Sequence, residues 1–249
     1  MLEQCRESVF AQVLREMGTD SGMDLGMVSG DVPIRNWTIG QAYDLAANLG
    51  GPALAEQYLV GKRACLHCPI ACKRVVEVRD SPFQLEPTAG PEYETCAAFG
   101  TLIMNSNLAA VAKANDLCNR YGMDTISCGA AIAFAMECFA NQLIFQGDAD
   151  GRTLAWGDMQ AVLGLLDDIA HRRGFGDVLA DGTRKAAKRI GKGAERFAIE
   201  TKGLELPMHD PRAHHGIGLA YSFSNRGGCH LQHIVYPVRC KSSTRRRSG

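Results

Sequence analysis

Three cysteines within eight residues, Cys65, Cys68 and Cys72, give this sequence its clearest chemical signal. Their C-x2-C-x3-C spacing lets one tight loop direct three sulfur atoms at a single point. Iron–sulfur clusters are held by cysteine thiolates at close spacings of this kind. We therefore interpret the loop as three of the four ligands of a [4Fe–4S] cluster, with the fourth ligand supplied from elsewhere.

Two other interpretations of the cysteine loop stay open. Zinc also binds two or three thiolates in a tetrahedral site, but a zinc knuckle usually adds a second close pair of Cys or His. Near this loop the sequence has His67 alone. The loop of radical-SAM enzymes has the reverse order of spacings, and a chance grouping of three buried cysteines is the simplest alternative.

Two carboxylates, Glu92 and Glu94, flank Tyr93 directly after a Gly-Pro turn. Side chains two residues apart on an extended segment face opposite ways, so we expect at most one to face a buried site. A desolvated carboxyl there can act as a general acid or base. The alternative is that both lie on the first turn of a helix, where its dipole favours them. His230 is the second candidate proton carrier, although a histidine beside glycines is more often structural.

The segment Asn119-x-x-Gly122-Met123-Asp124 joins the end of one helix to the start of the next. Its glycine lets a flat ligand approach the backbone, and Asn119 and Asp124 can hydrogen-bond the edge of a heterocycle. A plain helix–glycine–helix corner explains the same pattern. A weaker candidate for metal binding is the group of His209, His214 and His215 with Asp210. The spacing of these histidines is poor for one face of a helix.

Composition narrows the class of protein. In 249 residues, Lys+Arg and Asp+Glu balance at 27 each, so nothing favours nucleic acid or an anionic membrane as a partner. Seven of the ten cysteines are scattered, which is typical of free thiols in a reducing compartment. The first turns carry Glu3, Arg6 and Glu7, unlike a signal peptide. The sequence therefore predicts a cytoplasmic protein.

Apolar periodicity predicts a mainly α fold of about nine helices with only scraps of strand. Helices are expected at 2–17, 40–49, 53–60, 95–104, 106–121, 126–143, 158–173, 181–190 and 213–222. Short strands are expected at 74–79 and 197–201, with a glycine-dotted loop after Gly18 and an irregular segment over 80–93. The apolar run from Ile126 to Phe145 contains Glu137 and Asn141, which favours a buried core helix over a membrane span.

Five ordered motifs, between about residues 10 and 237, resemble the tungsten-containing aldehyde ferredoxin oxidoreductases. They are Cys-x2-Cys-Pro-Ile-x-Cys, Gly-Pro-Glu-Tyr-Glu-Thr, Leu-Cys-Asn-Arg-Tyr-Gly-Met-Asp-Thr-Ile-Ser, Asp-Pro-Arg and Ser-Asn-Arg-Gly-Gly-Cys-His-Leu. The resemblance implies multihelical domains and oxidation of aldehydes to carboxylic acids with water. It also implies a tungsten or molybdenum ion held by two pyranopterins, a [4Fe–4S] cluster and ferredoxin as electron acceptor.

The resemblance also implies roles for particular residues. The three loop cysteines become cluster ligands, and Asn119 to Asp124 becomes the first of two pterin-binding motifs. In that motif Asn119 replaces the usual Asp and Met123 the usual Leu. Glu94 corresponds to the pocket glutamate, with Glu92 as the fallback, and His230 to the pocket histidine. We hypothesise that Glu94 activates water and that His230 donates to the developing oxyanion.

The sequence departs from the family pattern in several places. The E-x-x-H pair that binds an iron between subunits in some members is missing near Lys113 and Asp116, so we expect no such iron, although a homodimer stays open. The N-terminal β-rich domain and the second pterin motif, which carries the fourth cluster cysteine, are also missing. Cys240 is too close to His230 to replace that cysteine. We therefore expect a fragment that does not hold the tungsten cofactor alone.

The resemblance to the family predicts three parts of the chain. Residues 1–200 form a helical domain with the cysteine loop and the first pterin motif, 201–237 begin a second helical domain, and 238–249 form an atypical basic tail. Two other functions stay open. One is a related tungsten acyl-CoA or aromatic-ring reductase, and the other is a non-catalytic [4Fe–4S] electron-transfer module.

Overall fold

A computed structural model describes residues 2–79 and 82–232, and it is mainly α, as the sequence predicts. The helices are α1 Leu2–Glu7, α2 Val9–Met17, α3 Met23–Ser29, α4 Tyr43–Leu49, α5 Gly51–Gln57, α6 Tyr93–Ala98, α7 Leu108–Tyr121, α8 Thr125–Ala140, α9 Met159–His171, α10 Gly174–Leu179, α11 Thr183–Ile190 and α12 His215–Phe223. The strands are β1 Leu59–Arg63, β2 Lys73–Val78, β3 Leu85–Ala89, β4 Glu200–Thr201 and β5 Leu204–Glu205.

The larger sheet is antiparallel, with β2 between β1 and β3. Leu59 pairs with Val76 across β1 and β2, and Val76 pairs with Thr88 across β2 and β3. The cysteine loop is the connection between β1 and β2. Of these three strands only β2 was predicted, and the segment over 80–93 was expected to be irregular. Strand β3 contains Pro87, but it lies at the edge of the sheet, where a residue without an N–H is tolerated.

Helix α8 forms the centre of the core. Its residues from Cys128 to Cys138 are all buried, so its interpretation as a core helix is confirmed. Within the described part of the chain, no single helix is long and apolar enough to cross a membrane. Helices α7 and α8 meet that test only when taken together, and they are bent by 118° at the break between them.

The N-terminal third departs most from the predicted elements. The expected helix over 2–17 breaks at Ser8, whose extended backbone (ψ 121°) begins α2 instead. The expected loop after Gly18 contains α3, because Met23 and Met27 are both fully buried there and their packing outweighs the glycines. Thr38 does not cap a helix; its hydroxyl donates to the carbonyl of Arg35 (2.6 Å) and α4 begins five residues later.

Long-range contacts decide the ends of α10 and α11. Gly176 lies between the helices expected over 158–173 and 181–190, yet it belongs to α10, where a Cβ would meet the backbone of Asp168 at 2.3 Å. The helix expected over 181–190 begins at Thr183, where Glu205 caps it: the Glu205 Oε1 accepts from the N–H (2.7 Å) and hydroxyl (3.0 Å) of Thr183. Glu205 lies on β5, which pairs with β4.

The segment after residue 200 packs on the rest of the chain. Leu206, Met208, Ile217 and Tyr221 belong to the same buried core as α6 and α8. The division at residue 200 stays a prediction. The basic tail over 238–249 and Cys240 lie outside the described residues.

Candidate active site and cysteine loop

The N-terminus of α6 is anchored on the turn around Met208. The hydroxyl of Tyr93 donates to the carbonyl of Met208 (2.7 Å), and the Met208 N–H donates to Glu94 Oε2 (2.7 Å). The Tyr93 N–H donates to the Thr19 hydroxyl (2.9 Å). The bond from Met208 fixes one carboxyl oxygen of Glu94 at this turn, and the second oxygen is buried.

Two imidazoles face the second oxygen of Glu94. Oε1 lies 3.4 Å from Nε2 of His209 and 3.4 Å from Nε2 of His230. It is buried and has no hydrogen-bond partner among the described residues. A buried carboxylate oxygen without a donor is costly. This atom is therefore suited to accept a hydrogen bond from a group that enters the site.

His209 is the most buried member of this group, at 3% exposure. Its Nδ1 lies 2.8 Å from Oδ2 of Asp31, and its ring stacks on Tyr93 with centroids 4.8 Å apart and planes inclined by 17°. The Tyr221 hydroxyl donates to the His209 carbonyl (3.2 Å). The ring is therefore held by Asp31 at one edge and by Tyr93 against one face.

His230 is more accessible than His209, with 22% of its side chain exposed. Burial lowers the pKa of His230, and the nearby Glu94 carboxyl acts in the opposite direction. His209 and Arg226 also lower that pKa, while Asp124 raises it. His230 is therefore predominantly neutral near pH 7, as a group that donates one hydrogen bond from a neutral ring requires.

The corner between α7 and α8 adjoins the same site. The hydroxyls of Thr95 on α6 and Thr125 on α8 lie 2.9 Å apart, so α6 and α8 begin next to each other. Glu94 directly precedes Thr95, and Asp124 directly precedes Thr125. The Asp124 carboxylate also raises the pKa of His230. The structure thus brings the predicted corner and the predicted acid–base pair together.

The corner itself has the predicted local geometry. Gly122 is left-handed (φ 68°, ψ 32°), and Asp124 caps α8 by accepting from the Ser127 N–H (2.8 Å). Nothing lies within 4 Å of a Cβ placed on Gly122, and Asn119 and Asp124 are exposed while Met123 is half-buried. An open glycine with exposed amide and carboxylate neighbours suits a flat polar heterocycle such as a pterin.

The cysteine loop is exposed at Cys65 and half-buried at Cys68 and Cys72. Left-handed residues at His67 (φ 60°) and Ala71 (φ 57°) curl the chain back on itself. The peptide N–H groups of Ile70 and Ala71 lower the pKa of the Cys68 thiol. N–H groups that face a cysteine sulfur favour the thiolate, the form that binds iron or zinc.

Cys72 lies deepest in the loop. Burial raises the pKa of its thiol, and the Glu92 carboxylate raises it further, as do Cys68 and Cys65. These thiols therefore influence one another, although the described residues contain no group of three or more Cys, His, Asp or Glu already placed to hold one ion. Three thiols on one loop, one of them favoured as the thiolate, form a donor set that fits a thiolate-bound cluster.

A buried arginine connects the cysteine loop to α6. Arg74, two residues after Cys72, pairs with Asp20 and donates to the carbonyls of Met17 (2.9 Å) and Pro91. Both side chains of the pair are 0% exposed. The loop and the start of α6 are therefore fixed relative to each other.

Sequence reasoning placed Glu94 and His230 among the site residues, and the structure brings them together. It places Glu92 elsewhere, at the cap position of α6, where it accepts from the Thr19 hydroxyl. Asp31 was missed as a site residue, and His209 was considered only as a weak candidate for metal binding. His209 follows Met208 directly before the Asp-Pro-Arg motif, which was the signal available, whereas Asp31 comes from a segment 178 residues earlier in the chain.

The comparisons with known proteins agree on one family. The family model of aldehyde ferredoxin oxidoreductase, domains 2 and 3, matches residues 1–247. A tungsten-containing aldehyde ferredoxin oxidoreductase of Pyrococcus furiosus is 36% identical over 223 residues, covering 89% of this chain and 36% of that protein. The one from Thermococcus kodakarensis is 34% identical over 223 residues, with the same coverage of 89% and 36%.

Two more distant similarities are informative. The WOR-like subunit of an aliphatic sulfonate oxidoreductase of Pyrococcus furiosus is 28% identical over 233 residues, covering 90% of this chain and 37% of that protein. The active-site complex BamBC of benzoyl coenzyme A reductase with 1,5-dienoyl-CoA matches with a TM-score of 0.63 at 22% identity, covering 76% of this chain and 29% of that one. The second similarity shows the fold alone. The chain spans about a third of the length of its curated relatives.

Proposed function

This chain belongs to the aldehyde ferredoxin oxidoreductase family, and on that premise we propose that it supplies the acid–base pair and three cluster ligands of a tungsten-pterin enzyme. The reaction would be oxidation of an aldehyde to a carboxylic acid with ferredoxin as electron acceptor, in the cytoplasm. The observation that carries the proposal is the buried Oε1 of Glu94, which lacks a donor among the described residues and lies 3.4 Å from Nε2 of His230.

The stoichiometry of the reaction indicates what Glu94 and His230 would do. An aldehyde and one water give a carboxylic acid, two protons and two electrons. A bound tungsten would polarise the carbonyl and take up the electron pair. Glu94 Oε1 can accept the proton that water loses as it attacks the aldehyde carbon, because that buried oxygen makes no hydrogen bond among the described residues. His230 can donate from Nε2 to the oxyanion, since its lowered pKa leaves a neutral ring.

The cofactors would be held on two sides of this pair. Asn119, Gly122, Met123 and Asp124 would contact one pterin. Cys65, Cys68 and Cys72 would bind the [4Fe–4S] cluster, which would supply one-electron transfer to ferredoxin. The fixed connection through Arg74 would keep the cluster loop at a constant distance from Glu94.

The cluster assignment is tested on the 249-residue chain itself. We expect anaerobic reconstitution with iron and sulfide to give the absorption and the reduced-state EPR signal of a [4Fe–4S] centre. Cys68→Ser should abolish that signal, while Cys5→Ser, at a partly exposed cysteine far from the loop in sequence, should keep it. Zinc bound in place of iron, or a signal unchanged in Cys68→Ser, would overturn the assignment.

The catalytic assignment is tested in the tungsten-loaded enzyme that contains this chain. We expect Glu94→Gln to lower kcat for aldehyde-dependent viologen reduction by about 100-fold or more, because the general base is lost. Glu92→Gln is the matched control and should keep most of the activity. Full activity of Glu94→Gln with the metal still bound would refute the role. Cluster signals without aldehyde-dependent reduction in the unmodified enzyme would favour the electron-transfer module instead.

A further inference from the structure

His209 lies between Asp31 and Glu94 in a row of four ionisable side chains that ends with His230. Asp31 Oδ2 lies 2.8 Å from its Nδ1, and Glu94 Oε1 lies 3.4 Å from its Nε2. The same Glu94 oxygen lies 3.4 Å from Nε2 of His230. We propose that His209, held by Asp31, is a positioning residue that competes with His230 for the Glu94 carboxyl. His209 thereby determines which of the two imidazoles shares a proton with Glu94.

The contact with Asp31 fixes the form of the His209 ring. A carboxylate 2.8 Å from Nδ1 requires a proton on that nitrogen. Nε2 is then the atom that changes state: it accepts from a protonated Glu94, or it carries a second proton and donates to an ionised one. An imidazole oriented by a carboxylate on its far nitrogen is the arrangement that orients catalytic histidines in acyl-transfer triads.

His209 cannot easily turn away from Glu94. Its ring stacks on Tyr93 at 4.8 Å, and the Tyr221 hydroxyl binds its carbonyl (3.2 Å). The peptide N–H of Asp210 donates to the carbonyl of Asp31 (2.7 Å), which fixes the two segments side by side. Since Met208 fixes Oε2 of Glu94 as well, only small movements decide which imidazole reaches Oε1.

The competition has a measurable consequence at His230. The charged groups that face its imidazole are Glu94, His209, Arg226 and Asp124. When His209 shares the proton of Glu94, less of the carboxylate charge acts on His230, and any positive charge on His209 repels a proton there. His230 then stays neutral and its Nε2–H is available to a substrate oxyanion, in line with the function proposed for it above.

The first test needs no tungsten. In the 249-residue chain labelled with 15N-histidine, NMR distinguishes protonated from unprotonated ring nitrogens, and His209→Asn and His230→Gln identify the two residues by loss of signal. We expect the Nδ1 of His209 to be protonated at every pH at which the chain stays folded. A His209 ring that carries its proton only on Nε2 overturns the proposal.

The second test uses a matched pair of variants. The amide of Asn reaches the position of the histidine Nδ1, and that of Gln the position of Nε2, so His209→Asn keeps the contact with Asp31 and His209→Gln the contact with Glu94. We expect the titration midpoint of His230 to rise in His209→Asn and to rise less in His209→Gln. An unchanged His230 midpoint in a folded His209→Asn chain refutes the competition.

His214 provides the control. Its Nε2 is 3.9 Å from Oδ1 of Asp31, whereas His209 contacts Oδ2, so His214→Gln should leave the His230 midpoint unchanged. The inference rests on the proposed function in one respect, the donation of the His230 Nε2–H to a substrate oxyanion. If the loaded enzyme shows no aldehyde turnover but the His230 shift is found, the proposed function fails and the competition stands. If turnover is normal and the shift is missing, the competition fails alone.

Discussion

Gly129 on α8 determines how closely α6 approaches the core. A Cβ at this position would lie 2.7 Å from the Ala98 Cβ, 2.9 Å from the Ala98 carbonyl oxygen and 3.0 Å from its carbonyl carbon. Ordinary contacts begin near 3.5 Å. Two of the three neighbours are backbone atoms of α6, so they cannot rotate out of the way. Gly129→Ala must therefore push α6 away from α8 by roughly half an ångström or more.

Two opposing effects set the size of the stability change. Alanine in place of glycine in a helix interior stabilises by about 1 kcal/mol. Overpacking of a well-filled core costs about 1–3 kcal/mol, and here the clash involves rigid backbone, so the upper part of that range applies. We expect Gly129→Ala to lower the free energy of unfolding by about 1–2 kcal/mol, measured by urea denaturation of the 249-residue chain followed by circular dichroism.

Gly164 on α9 is the matched control for this experiment. It is also inside a helix, but a Cβ there would meet only the end of the flexible Arg152 side chain, at 3.5 Å. Gly164→Ala should therefore gain up to about 1 kcal/mol, from helix propensity alone. If Gly129→Ala is as stable as Gly164→Ala, the close approach of α6 to α8 is wrong. The displacement of α6 should also carry Glu94 away from His230 and change the NMR titration of His230.

Three further predictions concern the supports of the site. Arg74→Met leaves Asp20 without its buried partner and should cost about 3 kcal/mol, whereas Arg79→Met, at an ion pair with an 83% exposed arginine, should change stability by less than about 0.5 kcal/mol in the same urea assay. Glu205→Ala removes both bonds to Thr183 and should cost about 1–2 kcal/mol; an unchanged midpoint would show that α11 needs no such cap. Because burial lowers the pKa of His230, the unfolded chain binds this proton more readily, so stability begins to fall as the pH drops below about 6.5 and the loss is complete below the lower pKa of the folded state. His230→Gln should flatten that part of the stability–pH curve, and an identical curve for the variant would contradict the assigned burial.

The sequence alone determined the features that depend on local spacing. The periodicity of α7, α8 and α9 predicted those helices because apolar residues at helical intervals recur over three or more turns. Gly122 and Asp124 predicted the corner between α7 and α8, since a left-handed glycine and a capping carboxylate act within a few residues. The ordered motifs also led to the family, and they named Glu94 and His230 together.

Only the tertiary structure decided the features that depend on distant contacts. Helix α3 forms despite its glycines because Met23 and Met27 find a core, and α11 begins where Glu205 reaches it from another strand. Asp31 joins the site through a contact with His209 across 178 positions, which no local pattern encodes. The choice between Glu92 and Glu94 likewise required the fold: both lie at the start of α6, and the turn at Met208 directs only Glu94 toward the two imidazoles.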